Sequence, residues 1–348
     1  MVRAIEWLDV PRPMIRLIDQ TLLPDTERYV DVTTVDVLVA GIGDLVVRGA
    51  PALGGAGALG VALAMTQAGD ESWDAARLET EIDRIRDARP TAVNLAWGVS
   101  QVRPWISHGT AEVLRRARQV VADDEAANRE LSRRGADWVL ARVAKNTVRV
   151  VTHCNTGALA TCGWGTAYGI IHELHERGRL GLVYADETRP LLQGARLTSW
   201  ELLHDGIQHV VQADSAAAST ILRGLVDVAI IGADRIAANG DTANKVGSVG
   251  LALACQRAGI PFVVAAPSST VDLAVPAGQD IVIEQRGEDE VLGFAGARTS
   301  PAGVRGFNPA FDVTPHDLIS AVVTERGIVE ASALNDPDLR GIGPHPAG

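Results

Sequence analysis

Aromatic side chains make up only 4% of this 348-residue chain, and cysteines number three. An odd, widely spaced set of cysteines excludes a small disulfide-stapled scaffold. Positions 154, 162 and 255 lack the paired spacing of a zinc site, and the eight histidines form no HExxH or comparable pair. The sequence therefore predicts no metal. No apolar run approaches the roughly eighteen residues of a membrane span, and the opening MVRAIEWLDVPRP has no apolar stretch of signal-peptide length. A cytoplasmic location, reduced thiols and no membrane partner are the expectations. Positive charge is scarce too. Lys and Arg total 32 against 43 Asp and Glu, and the net charge of -11 argues against a general nucleic-acid binder.

What is present is apolar and small. Hydrophobic residues are 47% of the chain, charged residues 22%, and glycines number 35. That composition excludes disorder and supports two packed domains. Residues 1–125 read as a mainly helical domain carrying a small β-sheet. Its signals are the alternating RAIEWLDV and helical spacing over 73–88. A second helix is expected over 111–144, with a break near Gly135. Residues 126–340 read as a Rossmann-like domain with a doubly wound parallel sheet. Apolar runs at 148–154, 180–186, 207–214, 226–234, 261–267 and 280–284 alternate with helical stretches at 166–178, 195–206 and 245–259. The tail NDPDLRGIGPHPAG is expected to be loose.

Ligands of open α/β sheets bind beyond the carboxyl ends of the strands. The run at 148–154 ends in Cys154-Asn155-Thr156-Gly157, a turn expected to open a helix whose N–H groups stabilise a thiolate or an oxyanion. The other reading of Cys154 is a small buried hydrophobe. His153 alternates to the opposite face, so a Cys–His dyad is not expected. Cys162, in an expected helical stretch, and Cys255 read as core. Asp234 ends an apolar run. It is either a dehydrated general acid or a cap that pairs with Arg235. Gly55, Gly57 and Gly60 form a GxGxxG inside a helix of small residues, which suits close packing better than dinucleotide binding. Arg48 precedes a helix start with free backbone N–H groups, Arg89 precedes Pro90, and Lys245 opens a helix beside Asn244. Each is either a solvated surface charge or part of a site for a phosphorylated small substrate.

The motifs RGAPALG (48–54), RPTAVNLAWG (89–98), THCNTGALAT (152–161), DETRPLLQGARLTSWEL (186–202), GADRIAANGDTANKVG (232–247), FVVAAPSSTVD (262–272) and FNPAFDVTP (307–315) occur in that order. With them the chain resembles the methylthioribose-1-phosphate isomerases of methionine salvage. Their superfamily also holds ribose-1,5-bisphosphate isomerases and the α, β and δ regulatory subunits of eIF2B. The resemblance implies Cys154 and Asp234 as the catalytic pair. It implies Arg48, Gly49, Ala50, Arg89, Gln193, Asn244 and Lys245 as substrate-binding residues. It implies a sugar-phosphate substrate, no cofactor and a homodimer formed mainly through the Rossmann-like half. Regulatory members commonly lack the pair that this chain keeps. Departures from the isomerase pattern fall at Asp214-Ser215-Ala216-Ala217, Gly163-Trp164-Gly165, Tyr168 and Phe307. The alternatives are an isomerase of 5-deoxyribose 1-phosphate or ribose 1,5-bisphosphate, and a non-catalytic regulatory subunit.

Overall fold

The computed structural model describes residues 2–90, 92–330 and 337–343. The chain divides into two compact units, Met1–Arg129 with Thr156–Gly165, and Glu130–Asn155 with Thr166–Gly348. This differs from the 125/126 boundary in one respect of substance: Thr156–Gly165 groups with the first unit.

In the first unit, β1 (Ile5–Leu8), β2 (Met14–Ile18) and β3 (Tyr29–Val32) form an antiparallel sheet in that order. Four helices follow: α1 (Val35–Gly43), α2 (Ala50–Glu71), α3 (Ala75–Arg86) and α4 (Val93–Val102). Every residue of α2 from Ala52 to Ala64 is buried. A helix that is apolar all round has to be covered on all sides. By length and composition alone α2 could cross a membrane, but 72% of that stretch is buried inside the protein, so it reads as a core helix. Its glycines let α4 approach closely. A Cβ on Gly57 would lie 2.4 Å from the Leu95 carbonyl oxygen, and one on Gly98 would lie 1.9 Å from that of Gly54. The GxGxxG is thus a packing surface in mid-helix, not a turn after a strand.

The long helix α5 (Thr110–Arg142) is unbroken. The expected break at Gly135 is absent because that glycine makes room for a neighbour: a Cβ there would lie 2.3 Å from Ile170 Cδ1.

The second unit is built on a seven-stranded sheet. Its strands are β4 (Val148–Thr152), β5 (Leu180–Asp186), β6 (His209–Gln212), β7 (Val228–Ile231), β10 (Phe262–Ala265), β15 (Ala321–Val323) and β16 (Ile328–Val329), in the order β16-β15-β10-β7-β4-β5-β6. All pairs are parallel except β15 with β16. Alternate residues serve opposite faces. Val150, Val228, Ile230 and Val263 enter one core with Val139, Ile170, Ile171 and Leu174. Val151, Ala229, Ile231 and Val264 enter the other with Ile221, Leu251, Ala252 and Cys255. The covering helices are α6 (Ala167–Glu176), α7 (Ser199–His204), α8 (Ala217–Leu222) and α9 (Ser248–Ala258).

A second sheet, β11-β8-β9-β14, joins β8 (Arg235–Ala237), β9 (Thr242–Lys245), β11 (Val271–Asp272) and β14 (Phe311–Thr314). The short α10 (Asp289–Leu292) leads into a hairpin of β12 (Gly293–Phe294) and β13 (Ala297–Arg298). Residues 280–284, expected as a strand, form none. A 3-10 turn over Gly278–Asp280 precedes them, and only the isolated bridge of Gln285 with Pro309 follows. The tail expected to be loose is described only in part. Residues 335–336 and 344–348 lie outside the described residues. Within 337–343, Leu339 and Ile342 are buried in the core, so this stretch is packed, not loose.

The start of β7 is pinned to β4 by Asp227. Its carboxylate accepts from Lys145 Nζ at 2.6 Å, Arg149 Nη2 at 2.7 Å and the Arg149 backbone N–H at 2.9 Å. Burial pushes this carboxyl up, but the Arg149 and Lys145 hydrogen bonds prevail and hold it at about 2. A carboxyl depressed from an unfolded value of about 3.9 contributes on the order of 2.5 kcal/mol near neutrality. That contribution is present above pH ~4 and lost as pH falls toward ~2. Asp227→Asn is therefore expected to lower the melting temperature at pH 7. The gap from wild type should shrink between pH 4 and pH 2, measured by thermal melts across that range.

Candidate active site

From β4 the chain builds the sheet outward through β5 and β6 to one edge. It then returns to the other side of β4 with β7, β10 and β15. The reversal between β4 and β7 leaves a crevice at their carboxyl ends, the common ligand position in open α/β sheets. Cys154 lies just beyond β4, and Asp234 just beyond β7.

Cys154 is buried, with 7% of its surface exposed. No helix opens directly after it, contrary to expectation: α6 begins only at Ala167, and Cys162 lies in irregular chain, though buried as expected. Side chains hold Cys154 in place of a helix N-terminus. Its backbone is left-handed, with φ +66°. Its N–H donates to Thr188 Oγ1 at 2.9 Å, and its carbonyl accepts from Thr198 Oγ1 at 2.6 Å. Thr188 is itself left-handed, with φ +64°. For a β-branched residue this costs about 1–3 kcal/mol and persists only where the surroundings fix it. Asp214 does so, accepting from the N–H groups of Thr188 at 2.7 Å and Arg189 at 2.6 Å. A π-helical turn over Gly194–Thr198 then leads into α7. Such turns recur at functional sites. Gly194 has no room for a side chain, since a Cβ would lie 1.7 Å from the Asp186 carbonyl oxygen.

His153 does not serve Cys154. Its Nδ1 is 3.0 Å from Asp186 Oδ2, and its Nε2 is 2.8 Å from the Val246 carbonyl oxygen. Burial disfavours charge on the ring, but the Asp186 hydrogen bond and the nearby carboxylates outweigh it, so His153 lies above the ordinary histidine value. His153, Asp186 and Asp214 cluster closely enough to hold a metal. Each is already engaged within the protein, Asp186 with Gln212 Nε2 as well, which favours a structural network over a metal centre.

Asp234 is half-buried, and its N–H donates to the Ala243 carbonyl at 2.9 Å. Arg235 lies toward Asp272, at 3.8 Å. The β8–β9 register pairs Arg235 with Ala243, and Asp234, just ahead of β8, donates to that same Ala243. The β9–β14 register pairs Asn244 with Asp312. Asn244 and Asp312 thus lie opposite each other across β9 and β14. Asn244 Nδ2 donates to Ser248 Oγ at 2.9 Å. Lys245 ends β9 and does not open a helix, since α9 starts at Ser248. Lys245 is buried, with Nζ 2.7 Å from the Ala310 carbonyl oxygen and over the Phe311 ring at 4.5 Å. Gln193 is buried, and its Oε1 has no hydrogen-bond partner among the described residues. An amide oxygen in that state is a ready acceptor for a ligand hydroxyl.

The remaining candidates belong to the first unit. Arg48 and Arg89 are half-buried there. Gly49, with φ +96°, caps α2 and leaves no space for a Cβ, which would lie 2.2 Å from the Ala160 carbonyl oxygen. That carbonyl accepts from the Ala52 N–H, and Pro51 has none. The free N–H groups expected at this helix start are therefore fewer, with Gly49 and Ala50 ahead of those already excluded. A cavity of about 320 Å³ in the same unit, lined by Ile5, Trp7, Leu59, Arg118 and Glu125, includes none of the candidates.

Thr188 stands out in the sequence only as one of the polar residues that close the run at 180–186, and Thr198, Glu201 and Asp312 do not stand out. Their signal is position alone: the first three stand in DETRPLLQGARLTSWEL and the last in FNPAFDVTP.

A parallel sheet with polar loops gathered at its switch point makes the second unit a Rossmann-like α/β unit of the small-molecule-binding class. Residues 46–331 match the Initiation factor 2 subunit family, and the chain belongs to that family. It is 50% identical over 324 residues to a methylthioribose-1-phosphate isomerase of Anaeromyxobacter sp. (strain K), covering 93% of each chain. The same identity and length relate it to a probable bifunctional methylthioribose-1-phosphate isomerase/methylthioribulose-1-phosphate dehydratase of Nocardia farcinica; there the match covers 93% of this chain but 59% of the relative. Among solved structures, the 5-methylthioribose 1-phosphate isomerase of Pyrococcus horikoshii OT3 superimposes with a TM-score of 0.86 at 36% identity, over 95% of this chain and 93% of that one. A structure described as eIF-2B subunit delta from A. fulgidus gives 0.83, also at 36% identity, over 95% and 96%.

Proposed function

We propose that the chain is an aldose–ketose isomerase converting 5-methylthioribose 1-phosphate to 5-methylthioribulose 1-phosphate in methionine salvage. The observation that carries this is 50% identity, across nearly the full length of both chains, to a relative bearing that name. Retention of both Cys154 and Asp234 supports an enzyme over a regulatory subunit.

The phosphate on C1 blocks simple hemiacetal opening. The ring must open with acid assistance at its oxygen, and hydrogen must then move from C2 to C1. Asp234 in its protonated form donates to the ring oxygen, and the resulting carboxylate takes the C2 hydroxyl proton as the ketone forms, which restores the acid. Cys154 as thiolate removes the C2 proton to give a cis-phosphoenolate, which is reprotonated at C1; on the alternative route it steadies charge during a direct hydride shift. Substrate deuterated at C2 tests the proton route. Label released to water marks the proton route, whereas label carried to C1 marks either the hydride route or a base shielded from solvent.

Arg48, Arg89 and Lys245 bind the phosphate in this reading, with Gly49 and Ala50 contributing backbone N–H groups and Gln193 and Asn244 contacting the sugar. Arg48→Gln is expected to raise KM about tenfold or more, the scale of one charge-assisted hydrogen bond, with a smaller effect on kcat. Steady-state kinetics on purified protein checks this. No metal or organic cofactor takes part, so exhaustive dialysis against EDTA is expected to leave turnover unchanged.

The protein works as a cytoplasmic homodimer in this reading. Support comes from the edge strand β6, where Val210 and Val211 are exposed, as are Leu203 and Leu222 nearby in sequence. Light scattering tests the dimer. The likeness to a structure described as eIF-2B subunit delta keeps a second reading in view, a regulatory subunit without turnover. A panel of methylthioribose 1-phosphate, 5-deoxyribose 1-phosphate and ribose 1,5-bisphosphate decides among these, because the regulatory reading requires all three to fail.

A further inference from the structure

We propose that Thr188 and Thr198 are positioning residues that clamp the main chain of Cys154 and thereby set its thiol against the substrate. This rests on the reading of Cys154 as catalytic. Both threonines are fully or nearly fully buried, at 0% and 2% exposed. Both hydroxyls are used twice. Thr188 Oγ1 accepts from the Cys154 N–H and donates to the Asp186 carbonyl at 3.0 Å. Thr198 Oγ1 donates to the Cys154 carbonyl and accepts from Asn155 Nδ2 at 3.3 Å. Asn155 Nδ2 also donates to Glu201 Oε2 at 2.6 Å, so a buried carboxylate orients the amide that meets Thr198. On the other side, Asp214 fixes Thr188 through its backbone N–H.

The arrangement has a reason. A left-handed, non-glycine residue costs free energy and persists where its surroundings over-determine it. In Cys154 the amide ahead of the side chain and the carbonyl behind it are each tied to a different residue, Thr188 ahead of the Gly194–Thr198 π turn and Thr198 at its end. Removing either hydroxyl leaves a buried backbone group without that partner and frees the Cα–Cβ vector. Reaction geometry is sensitive to shifts of this kind, because misplacement of about 1 Å can cost on the order of a hundredfold in rate.

The experiment compares Thr188→Val, Thr188→Ser, Thr198→Val, Thr198→Ser and Thr198→Ala with Cys154→Ser. It measures kcat, KM and melting temperature on methylthioribose 1-phosphate. Losing the hydroxyl is expected to lower kcat by about 10- to 100-fold, with KM within about twofold, and serine is expected to restore most of it. Should the valine variants fail to fold, the serine and alanine variants of Thr198 still decide, because they differ by the hydroxyl alone. Equal kcat in Thr198→Ser and Thr198→Ala, or wild-type kcat in folded valine variants, overturns the clamp while an inactive Cys154→Ser leaves the catalytic reading standing. Full activity in Cys154→Ser overturns that reading itself.

Discussion

Cys154→Ser and Asp234→Asn are each expected to fold like the wild type and to lose about a thousandfold or more in kcat, within the range of lost acid–base or nucleophilic assistance. The serine hydroxyl keeps the shape of the thiol but is a far poorer proton acceptor in its neutral form, and far harder to ionise. The hydrogen bonds to Thr188 and Thr198 use only the backbone of residue 154, so they survive the exchange. Asn at 234 preserves size and polarity but cannot donate a carboxylic proton. Its backbone bond to Ala243 is likewise untouched. The loss is therefore expected in kcat, with KM changed little. Steady-state kinetics beside thermal melts checks both. A folded variant with full activity removes that residue from the mechanism.

Gly98→Val is expected to destabilise the protein by about 3 kcal/mol or more, at the upper end of overpacking effects. A Cβ at 98 would lie 1.9 Å from the Gly54 carbonyl oxygen, and backbone cannot yield as a flexible side chain does. The valine methyls only worsen this. Gly69→Ala on α2 is the control. Nothing lies within 4 Å of its added Cβ, so it is expected to be neutral or stabilising by up to about 1 kcal/mol, since alanine is the better helix former. Urea unfolding of both variants reads the difference. Comparable stability in the two would mean that the α2–α4 contact is looser than the glycines imply.

Much of the fold was legible because its determinants are local. Continuous apolar runs such as VDVAIIG, alternating with helical stretches, suit strands covered on both faces, and they became β7 and its neighbours. Two errors came from reading propensity without tertiary context. Gly135 looked like a helix break, yet Ile170 occupies the space that its missing side chain leaves. Lys245 looked like a helix start, yet Thr242–Lys245 is drawn into a sheet by nearby partners at 235–236 and by 311–314, remote in sequence. The site was legible to a different degree. That Cys154 and Asp234 end apolar runs is visible in the sequence; that their strands are neighbours at the sheet's reversal is a property of strand order. The support around Cys154 was harder still. Thr188 and Thr198 are common residues in a loop, and nothing in their spacing announces that both reach the same peptide.

The hydroxyls around residue 154 touch its main chain and are indifferent to what the residue carries. Reactivity and placement are thereby separable properties in this protein. Selenocysteine installed there would inherit the same coordinates with a softer, more acidic group, and alanine would leave an addressable vacancy for an external thiol of matching size.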